Sequence, residues 1–355
     1  MQSSEANLTS PPNTGSGVRL FVTLASLIVI TAGLKAASAI VVPLLVALFL
    51  SMLATPLMFW LRNHKVPTGV SVGLILILLI GVISVVGSLI GSSINELSGS
   101  LPTYEAKLNE SIASGFTVLS DQGITVPESG IIEWVDPQAA AQFFGRLLSG
   151  FGGILSDSLL IIFMVLFILL EASIIPAKLK YILPEPEKTI ENFSGFLSAL
   201  KSYLVIKTFV SLLTGILVSI WLTVLGVEFA LMWGAIAFFL NFVPYVGSLI
   251  AAVPVVVLGI LDLGMTHALL IAGGYLFINL LVGNVLEPRF MGRGLGLSTL
   301  VVFLSLVFWG WVFGPVGMFL SVPLTMLVKI ALEHDSRSRW LAILLSADVP
   351  KKTDS

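Results

Sequence analysis

Long apolar runs recur along the chain, and their lengths give the first structural prediction. A helix needs about 20 mainly apolar residues to cross the hydrocarbon core of a bilayer. Runs of roughly this kind occupy residues 19–34, 37–61, 68–95, 154–175 and 203–227. The pattern therefore predicts an all-α protein that passes through a membrane several times.

Two apolar stretches in the last third, residues 229–261 and 297–332, are too long for one straight span. Each carries helix-breaking residues near its middle, Pro244 in the first stretch and Gly314 and Gly317 in the second. A broken helix leaves backbone groups unpaired, which is tolerated only inside protein or around a water-filled cavity. Because a pair of interrupted segments is a sequence pointer to a transporter's binding site, these residues are candidates for a substrate pathway.

Two topologies fit the last third of the chain. In one, each long stretch is a single tilted helix; in the other, each folds back as a re-entrant hairpin of two half-helices. The loop with Arg289 and Arg293 lies outside the cell in the first case and in the cytoplasm in the second. Because Lys and Arg concentrate in cytoplasmic loops, the charge rule favours the hairpins.

Basic residues also orient the other spans. Arg62 and Lys65 assign the loop after the second span to the cytoplasm, as Lys178 and Lys180 do after the fourth. The acidic stretch 98–150 then lies outside, and both termini lie in the cytoplasm.

Polar and apolar stretches together divide the chain into segments of distinct character. The predicted segments are a disordered cytoplasmic tail (1–17), three N-terminal transmembrane helices (18–97), a small, acidic helical extracytoplasmic domain (98–150), a transmembrane helix (151–175), a cytoplasmic amphipathic helix (176–202), a C-terminal transmembrane block with broken segments (203–335) and a cytoplasmic tail (336–355).

Composition supports lipid as the solvent for most of this surface. The 355 residues are 56% hydrophobic and 11% charged, whereas a soluble domain carries about 25% charged residues. The mean hydropathy is +1.04. A net charge of −2 argues against nucleic acid as a partner, because such binding needs clustered basic surface. The absence of cysteine excludes disulfides, thiolate catalysis and cysteine metal sites.

No sequence pattern typical of an enzyme or a cofactor site occurs. The chain has no phosphate-binding loop, no HExxH motif and no nucleophile elbow. His64, His267 and His334 lie at predicted ends of spans and lack the spacing of metal ligands. We therefore expect no enzymatic activity, no cofactor and no metal site.

The break in the first long stretch carries polar side chains at membrane depth. Asn241, Tyr245 and Ser248 flank Pro244, and Gly247 precedes Ser248. The favoured interpretation is that freed carbonyl groups and these side chains line a substrate cavity. The alternative is that Asn241 and Ser248 merely cap the broken helix ends.

Two ionisable residues follow the span between the long stretches. Glu287 and Arg289 come after Asn279 and Asn284, and an ionisable group at membrane depth is a functional hypothesis by default. In the functional interpretation, Glu287 exchanges a proton or pairs with Arg289 at a site or gate. In the alternative, the two form an ordinary loop ion pair where Pro288 stops the helix. Both interpretations stay open.

Lys207 is the only charge in the apolar run 203–227 and lies near its start. It could lie in a transport pathway, but a lysine in this position more often extends its ammonium to the membrane surface.

Motifs in the C-terminal half carry a family resemblance. The first two are Asn241-Phe242-Val243-Pro244-Tyr245-Val246-Gly247-Ser248 and Asn284-Val285-Leu286-Glu287-Pro288-Arg289. They are followed by Gly294-Leu295-Gly296-Leu297-Ser298, Trp309-Gly310, Gly314-Pro315-Val316-Gly317 and Val322-Pro323-Leu324. With the paired N-terminal spans and the acidic outer stretch, this order resembles the autoinducer-2 exporter (AI-2E) family of bacterial membrane proteins over residues 20–335.

The resemblance implies a multi-pass transporter of the bacterial cytoplasmic (inner) membrane with about eight transmembrane segments. One branch of the family exports autoinducer-2, a small polar quorum-sensing signal, and other members resemble sodium/proton antiporters. Our leading hypothesis is a secondary exporter of a small polar solute, since no nucleotide-binding motif is present. A proton or sodium ion is the expected coupling ion, with Glu287 as its carboxylate, and a homo-oligomer is compatible with the sequence.

Two other functions remain open from the sequence. A sodium/proton antiporter usually carries carboxylates deep in a span, and the deep positions here are nearly free of them. A membrane structural or assembly factor would instead act through the outer domain, residues 98–150.

Overall fold

The regular secondary structure in the computed structural model consists of helices. It describes residues 14–121, 157–172, 174–182, 186–244, 246–291, 296–334 and 338–347. No strand occurs within these ranges, and the predicted all-α class is confirmed. Residues 1–13, 122–156 and 348–355 lie outside the described residues. They contain parts of the two predicted tails, of the predicted extracytoplasmic domain and of the predicted transmembrane helix 151–175.

The helices follow one another with short connections. In chain order they are α1 (Thr14–Ala36), α2 (Ser38–Asn63), α3 (Thr68–Asp121), α4 (Ser158–Ala172), α5 (Ile175–Ile182), α6 (Pro186–Val224), α7 (Ala230–Leu240), α8 (Gly247–Leu263), α9 (Met265–Asn279), a π-helix (Leu280–Leu286), α10 (Glu287–Met291), α11 (Thr299–Phe319), α12 (Ser321–His334) and α13 (Arg339–Leu345).

Several of these helices are long and apolar enough to cross a membrane. Five such spans occur among the described residues, at Ser38–Asn63, Thr68–Ser93, Leu197–Val224, Met265–Phe290 and Thr299–Phe319. Large apolar side chains are exposed all along them, as expected where the neighbouring solvent is lipid rather than water. The chain is therefore a multi-pass membrane protein.

Two helices cross boundaries that hydropathy had suggested. The helix α3 continues from the third predicted span to Asp121, well into the predicted extracytoplasmic domain. The helix α6 joins the predicted amphipathic helix to the next span without a break at residue 202. Pro186 begins α6, a position that suits proline because its missing N–H needs no partner there. A change in hydropathy marks a change of solvent, and it does not by itself end a helix.

Both long apolar stretches fold back as helical hairpins. The first hairpin consists of α7 and α8 and the second of α11 and α12. In the second, the indole Nε1 of Trp309 donates a hydrogen bond of 3.0 Å to Thr325 Oγ1, 16 residues further on. The same two residues would be about 24 Å apart along a straight helix. The structure therefore has the hairpin topology rather than the tilted-helix alternative.

Three packed cores hold the helices together, and α6 takes part in two of them. One core joins the start of α6 to α2, α11, α12 and the tip of the first hairpin. A second joins the rest of α6 to α7, α8, α9 and the π-helix, and the third joins α2, α3 and α4. Gly215 of α6 and Gly234 of α7 touch backbone to backbone, so α6 supports the first hairpin closely.

Candidate functional site

The tip of the first hairpin is a tight turn between Leu240 and Gly247. The N–H of Val243 donates to the carbonyl of Leu240, and the N–H of Gly247 donates to the carbonyl of Val243. A Cβ atom on Gly247 would collide with the carbonyl oxygen of Leu240. Only glycine lets the second arm begin so close to the end of the first. Pro244, half-buried in this turn, cannot continue α7 as a regular helix.

The tip of the second hairpin depends on two glycines. Gly314 has φ of 66° and ψ of −149°, a region that essentially only glycine occupies. A Cβ atom on Gly317 would collide with the carbonyl oxygen of Trp309. Pro315 lies between these glycines, and the arm α12 begins after Leu320. Both hairpins thus reverse at a glycine that lies against a carbonyl of the preceding arm.

The two tips meet inside the protein. The ring centroids of Phe242, in the first tip, and Phe319, at the end of α11, are 4.1 Å apart. The candidate residues Asn241, Pro244, Gly247, Gly314 and Gly317 all lie in or beside these tips, and so does Ser248, the second residue of α8. Tyr245 falls outside the described residues. The structure therefore brings the two sequence breaks together at one place.

Asn241 fixes the first tip to the long helix α6. Its Nδ2 donates a hydrogen bond of 3.0 Å to Ser211 Oγ, and Ser211 is fully buried. The backbone N–H of Asn241 donates to the carbonyl of Ala237. The side-chain hydrogen bond thus goes to another helix, and no side-chain cap stabilises the start of α8. Asn241 is at the same time the C-cap residue of α7 through its backbone N–H, and the lining of a substrate cavity stays a prediction.

Lys207 and Glu287 form an ion pair between α6 and α10. Lys207 Nζ donates a hydrogen bond of 2.7 Å to Glu287 Oε1, with 7% of the lysine side chain and 20% of the glutamate side chain exposed. Lys207 is therefore buried against Glu287 rather than extended into the solvent. Arg289 is exposed, and residues two apart on a helix do not face each other. The partner of Glu287 is Lys207, and the predicted pairing with Arg289 is not what the structure shows.

A π-helix leads directly into this ion pair. Residues Leu280–Leu286 form it, and the N–H of Glu287 donates to the carbonyl of Val282, five residues back. Pro288 lacks an N–H and its ring clashes with the carbonyl four residues earlier in a regular helix. The wider π turn accommodates Pro288, so the helix continues where the sequence suggested a stop. Such π segments occur frequently at functional sites.

The other candidate polar residues lie away from the tips. Asn279 is half-buried at the end of α9, and Asn284 is exposed within the π-helix. No hydrogen bond joins either side chain to a hairpin tip within the described part of the chain. Sequence reasoning missed Ser211 as a partner of Asn241. One signal was available, because Lys207 and Ser211 are four residues apart and so share a face of α6.

This arrangement brings few polar groups together near the hairpin tips. It offers helix ends, an amide, a hydroxyl and one ion pair in a largely apolar surrounding, the usual composition of a small-molecule site. Within the described ranges, no group of three His, Cys, Asp or Glu side chains could hold a metal ion.

Known proteins resemble this chain over nearly its whole length. The sequence model described as AI-2E family transporter matches residues 24–337. The "AI-2 transport protein TqsA" of Escherichia coli (strain K12) is 38% identical over 339 residues, which cover 96% of this chain and 98% of that protein.

Two further relatives, whose names are less specific, match this chain over a similar length. The "Putative transport protein YhhT" of the same strain is 36% identical, covering 96% of this chain and 98% of that protein. A "Putative transport protein" of Haemophilus influenzae is 37% identical, covering 92% of this chain and 96% of that protein. The extent of these matches leads to one conclusion: the chain belongs to the AI-2E family of membrane transporters.

Proposed function

We propose that this protein is a secondary exporter of a small polar solute and that the solute passes between the tips of the two hairpins. The observation that carries the proposal is the convergence of both broken segments at Phe242 and Phe319. Re-entrant backbone is tolerated at membrane depth where it lines a solute path. The tips supply helix ends and the side chain of Asn241 for recognition.

Autoinducer-2 is the solute that we propose first. The support is the name of the E. coli relative, an AI-2 transport protein that is 38% identical over 96% of this chain, together with the Asn241 amide at the first tip. A small hydroxylated molecule suits an amide side chain such as that of Asn241 as a hydrogen-bond partner. We propose no catalytic role for any residue of the site.

Energy for export comes, in this proposal, from an ion gradient or from the gradient of the solute itself. Glu287 is the carboxylate proposed for coupling to a proton or a sodium ion. Its ion pair with Lys207 would then break and form during the cycle, because a proton on Glu287 or a competing cation removes the attraction. We propose the bacterial cytoplasmic membrane as the location, with both termini in the cytoplasm and a homo-oligomer as the assembly.

The test is flux of autoinducer-2 in proteoliposomes that contain the purified protein. Flux is measured with no gradient, with a proton gradient and with a sodium gradient. We expect flux above that of empty liposomes and acceleration by one of the two gradients. Glu287→Gln should remove the acceleration, and Asn241→Ala should lower flux under all conditions.

Each variant needs evidence of folding, so its thermal unfolding in detergent is compared with that of the unchanged protein. Absence of flux in vesicles that hold folded protein would reject autoinducer-2 as the solute. Gradient-driven sodium movement without solute would support the antiporter alternative instead, which no observation on the described residues favours at present. Loss of function on deleting the outer domain, with the hairpins intact, would support the assembly-factor alternative.

A further inference from the structure

Three phenylalanine rings from separate parts of the chain meet at the hairpin tips. Phe242 lies in the first tip, Phe319 ends α11, and Phe49 lies in the middle of α2. The Phe49 ring stands edge-on to both others, with centroids 5.0 Å from Phe319 and 5.9 Å from Phe242. Phe242 is 2% exposed and Phe49 is 8% exposed. We call these three residues the phenylalanine triad.

The triad closes the space between the tips. Ring separations of this size are those of directly packed aromatic pairs, which leave no room for water between them. Asn241 precedes Phe242 in the sequence and Ser321 follows Phe319 by two residues. Each tip therefore carries a polar residue close in sequence to its ring.

Ser321 provides a second observation at the start of the second arm. The residue begins α12 and is fully buried, and its hydroxyl makes no hydrogen bond with any residue that the structure describes. Buried polar groups are nearly always paired. If the tips separate and a polar solute enters, this hydroxyl is available to it as a hydrogen-bond partner.

We infer that the phenylalanine triad is the gate of the transport pathway, and that transport requires the rings of Phe242 and Phe319 to separate. This inference rests on the proposed passage between the tips. An apolar constriction excludes water and polar solutes without any charged group. A polar solute cannot cross the closed triad, since it would lose its hydration and find no hydrogen-bond partner among the rings.

The first test locks the gate. The chain contains no cysteine, so Phe242→Cys combined with Phe319→Cys gives a unique thiol pair. A short, reducible bifunctional thiol reagent should join the two tips and stop autoinducer-2 flux, and a reductant should restore it. Each single cysteine variant is the control, and its own flux, measured before and after the reagent, should not change on treatment. Full flux through the crosslinked protein would overturn the inference.

The second test opens the gate and does not depend on the identity of the solute. The probe is the passive leak of ribose, a small neutral polar molecule, from proteoliposomes without any gradient. Phe242→Ala and Phe319→Ala should each raise the leak several-fold over that of the unchanged protein. Phe303→Ala is the matched control, because that side chain is exposed on the same helix as Phe319, and it should leave the leak unchanged.

The outcomes separate this inference from the proposed function. An increased ribose leak without autoinducer-2 flux in the unchanged protein would support the gate and reject the solute. An unchanged leak in folded Phe242→Ala and Phe319→Ala proteins would assign the triad to ordinary packing and overturn the gate. If the alanine variants do not fold, the leak is measured with Phe242→Leu and Phe319→Leu, and the crosslink alone decides the matter if those leaks are also unchanged.

Discussion

Lys207 and Glu287 lie 80 residues apart in sequence, yet the ammonium of one is 2.7 Å from the carboxylate of the other. The pair joins α6 to the helix that follows the π turn. Both side chains are largely removed from solvent, so each charge depends on the other for its stabilisation. Replacing either residue by an uncharged one therefore leaves the charge of the other buried without its partner.

Removing one charge of this pair should destabilise the protein strongly. We expect Lys207→Met or Glu287→Leu to lower the free energy of unfolding by about 3–5 kcal/mol, because the remaining charge is left buried and unpaired. The double variant Lys207→Met/Glu287→Leu should recover most of the loss. Thermal unfolding of all four proteins in detergent measures the coupling. Additive effects of the two single changes would contradict it.

An exposed ion pair of the same residue types provides the control. Lys178 pairs with Glu171, and 57% and 48% of their side chains are exposed. Lys178→Met or Glu171→Leu should change stability by at most about 1 kcal/mol, because solvent already screens such a pair. Autoinducer-2 flux adds a second readout. A folded Lys207→Met/Glu287→Leu protein without gradient-driven flux would show that the buried pair contributes more than stability.

The glycines at the hairpin turns should tolerate no side chain. We expect Gly247→Ala and Gly317→Ala to lower the free energy of unfolding by about 1–3 kcal/mol, since each added methyl group meets a carbonyl oxygen of the preceding arm. Flux of the solute should fall with both. Gly273→Ala is the control, because nothing lies within 4 Å of a Cβ at that helical position. Equal unfolding temperatures for all three variants would disprove the tight-turn explanation.

The hydrogen bond from Asn241 to Ser211 should couple the first tip to α6. Asn241→Ala and Ser211→Ala each remove the bond, and each should lower stability by about 1 kcal/mol. Together they should lower it by clearly less than the sum, as measured by thermal unfolding of the four proteins of the cycle. If Asn241 also contacts the solute, Asn241→Ala reduces flux more than Ser211→Ala does. Equal flux in the two variants would limit Asn241 to a structural role.

The hydrogen bond between Trp309 and Thr325 should hold the arms of the second hairpin together. Both groups are buried, so Thr325→Val leaves the indole N–H without a partner, at about 1–3 kcal/mol. Trp309→Phe removes the same hydrogen bond and should have a similar effect, while its ring can still stack on Phe313. Trp340→Phe provides the control, because that side chain is exposed. Thermal unfolding of the three proteins measures the effect, and stability equal to that of the control would contradict it.

The sequence predicted the hairpins because their signals are local. Pro244 and Gly314 interrupt apolar stretches that are otherwise helical, and the interruption can be seen within a few residues. The membrane class follows equally from composition. The helix boundaries were less predictable, since α3 and α6 continue across changes in hydropathy. Helical hydrogen bonding needs no change at a membrane surface, so hydropathy alone does not mark a helix end.

The partners within the site could not be predicted from the sequence, because they depend on how helices pack. A lone Lys207 in an apolar run indicates a costly charge without naming its counter-charge, and Arg289 was the nearer candidate for Glu287. The pairing of Asn241 with Ser211 spans 30 residues and follows from the close approach of α7 to α6. The π-helix was also missed, because Pro288 by itself suggests a helix end.

The length of α3 has a consequence for the shape of the molecule. Its 54 residues amount to about 81 Å along the helix axis, whereas a bilayer with its headgroups is about 40–45 Å thick. A substantial part of this single helix must therefore project from one face of the membrane. Particles imaged in nanodiscs should show a protrusion on that side, and an antibody fragment bound to residues 110–121 would mark it. The protrusion is thus a visible landmark by which the orientation of the protein can be determined without any chemical labelling.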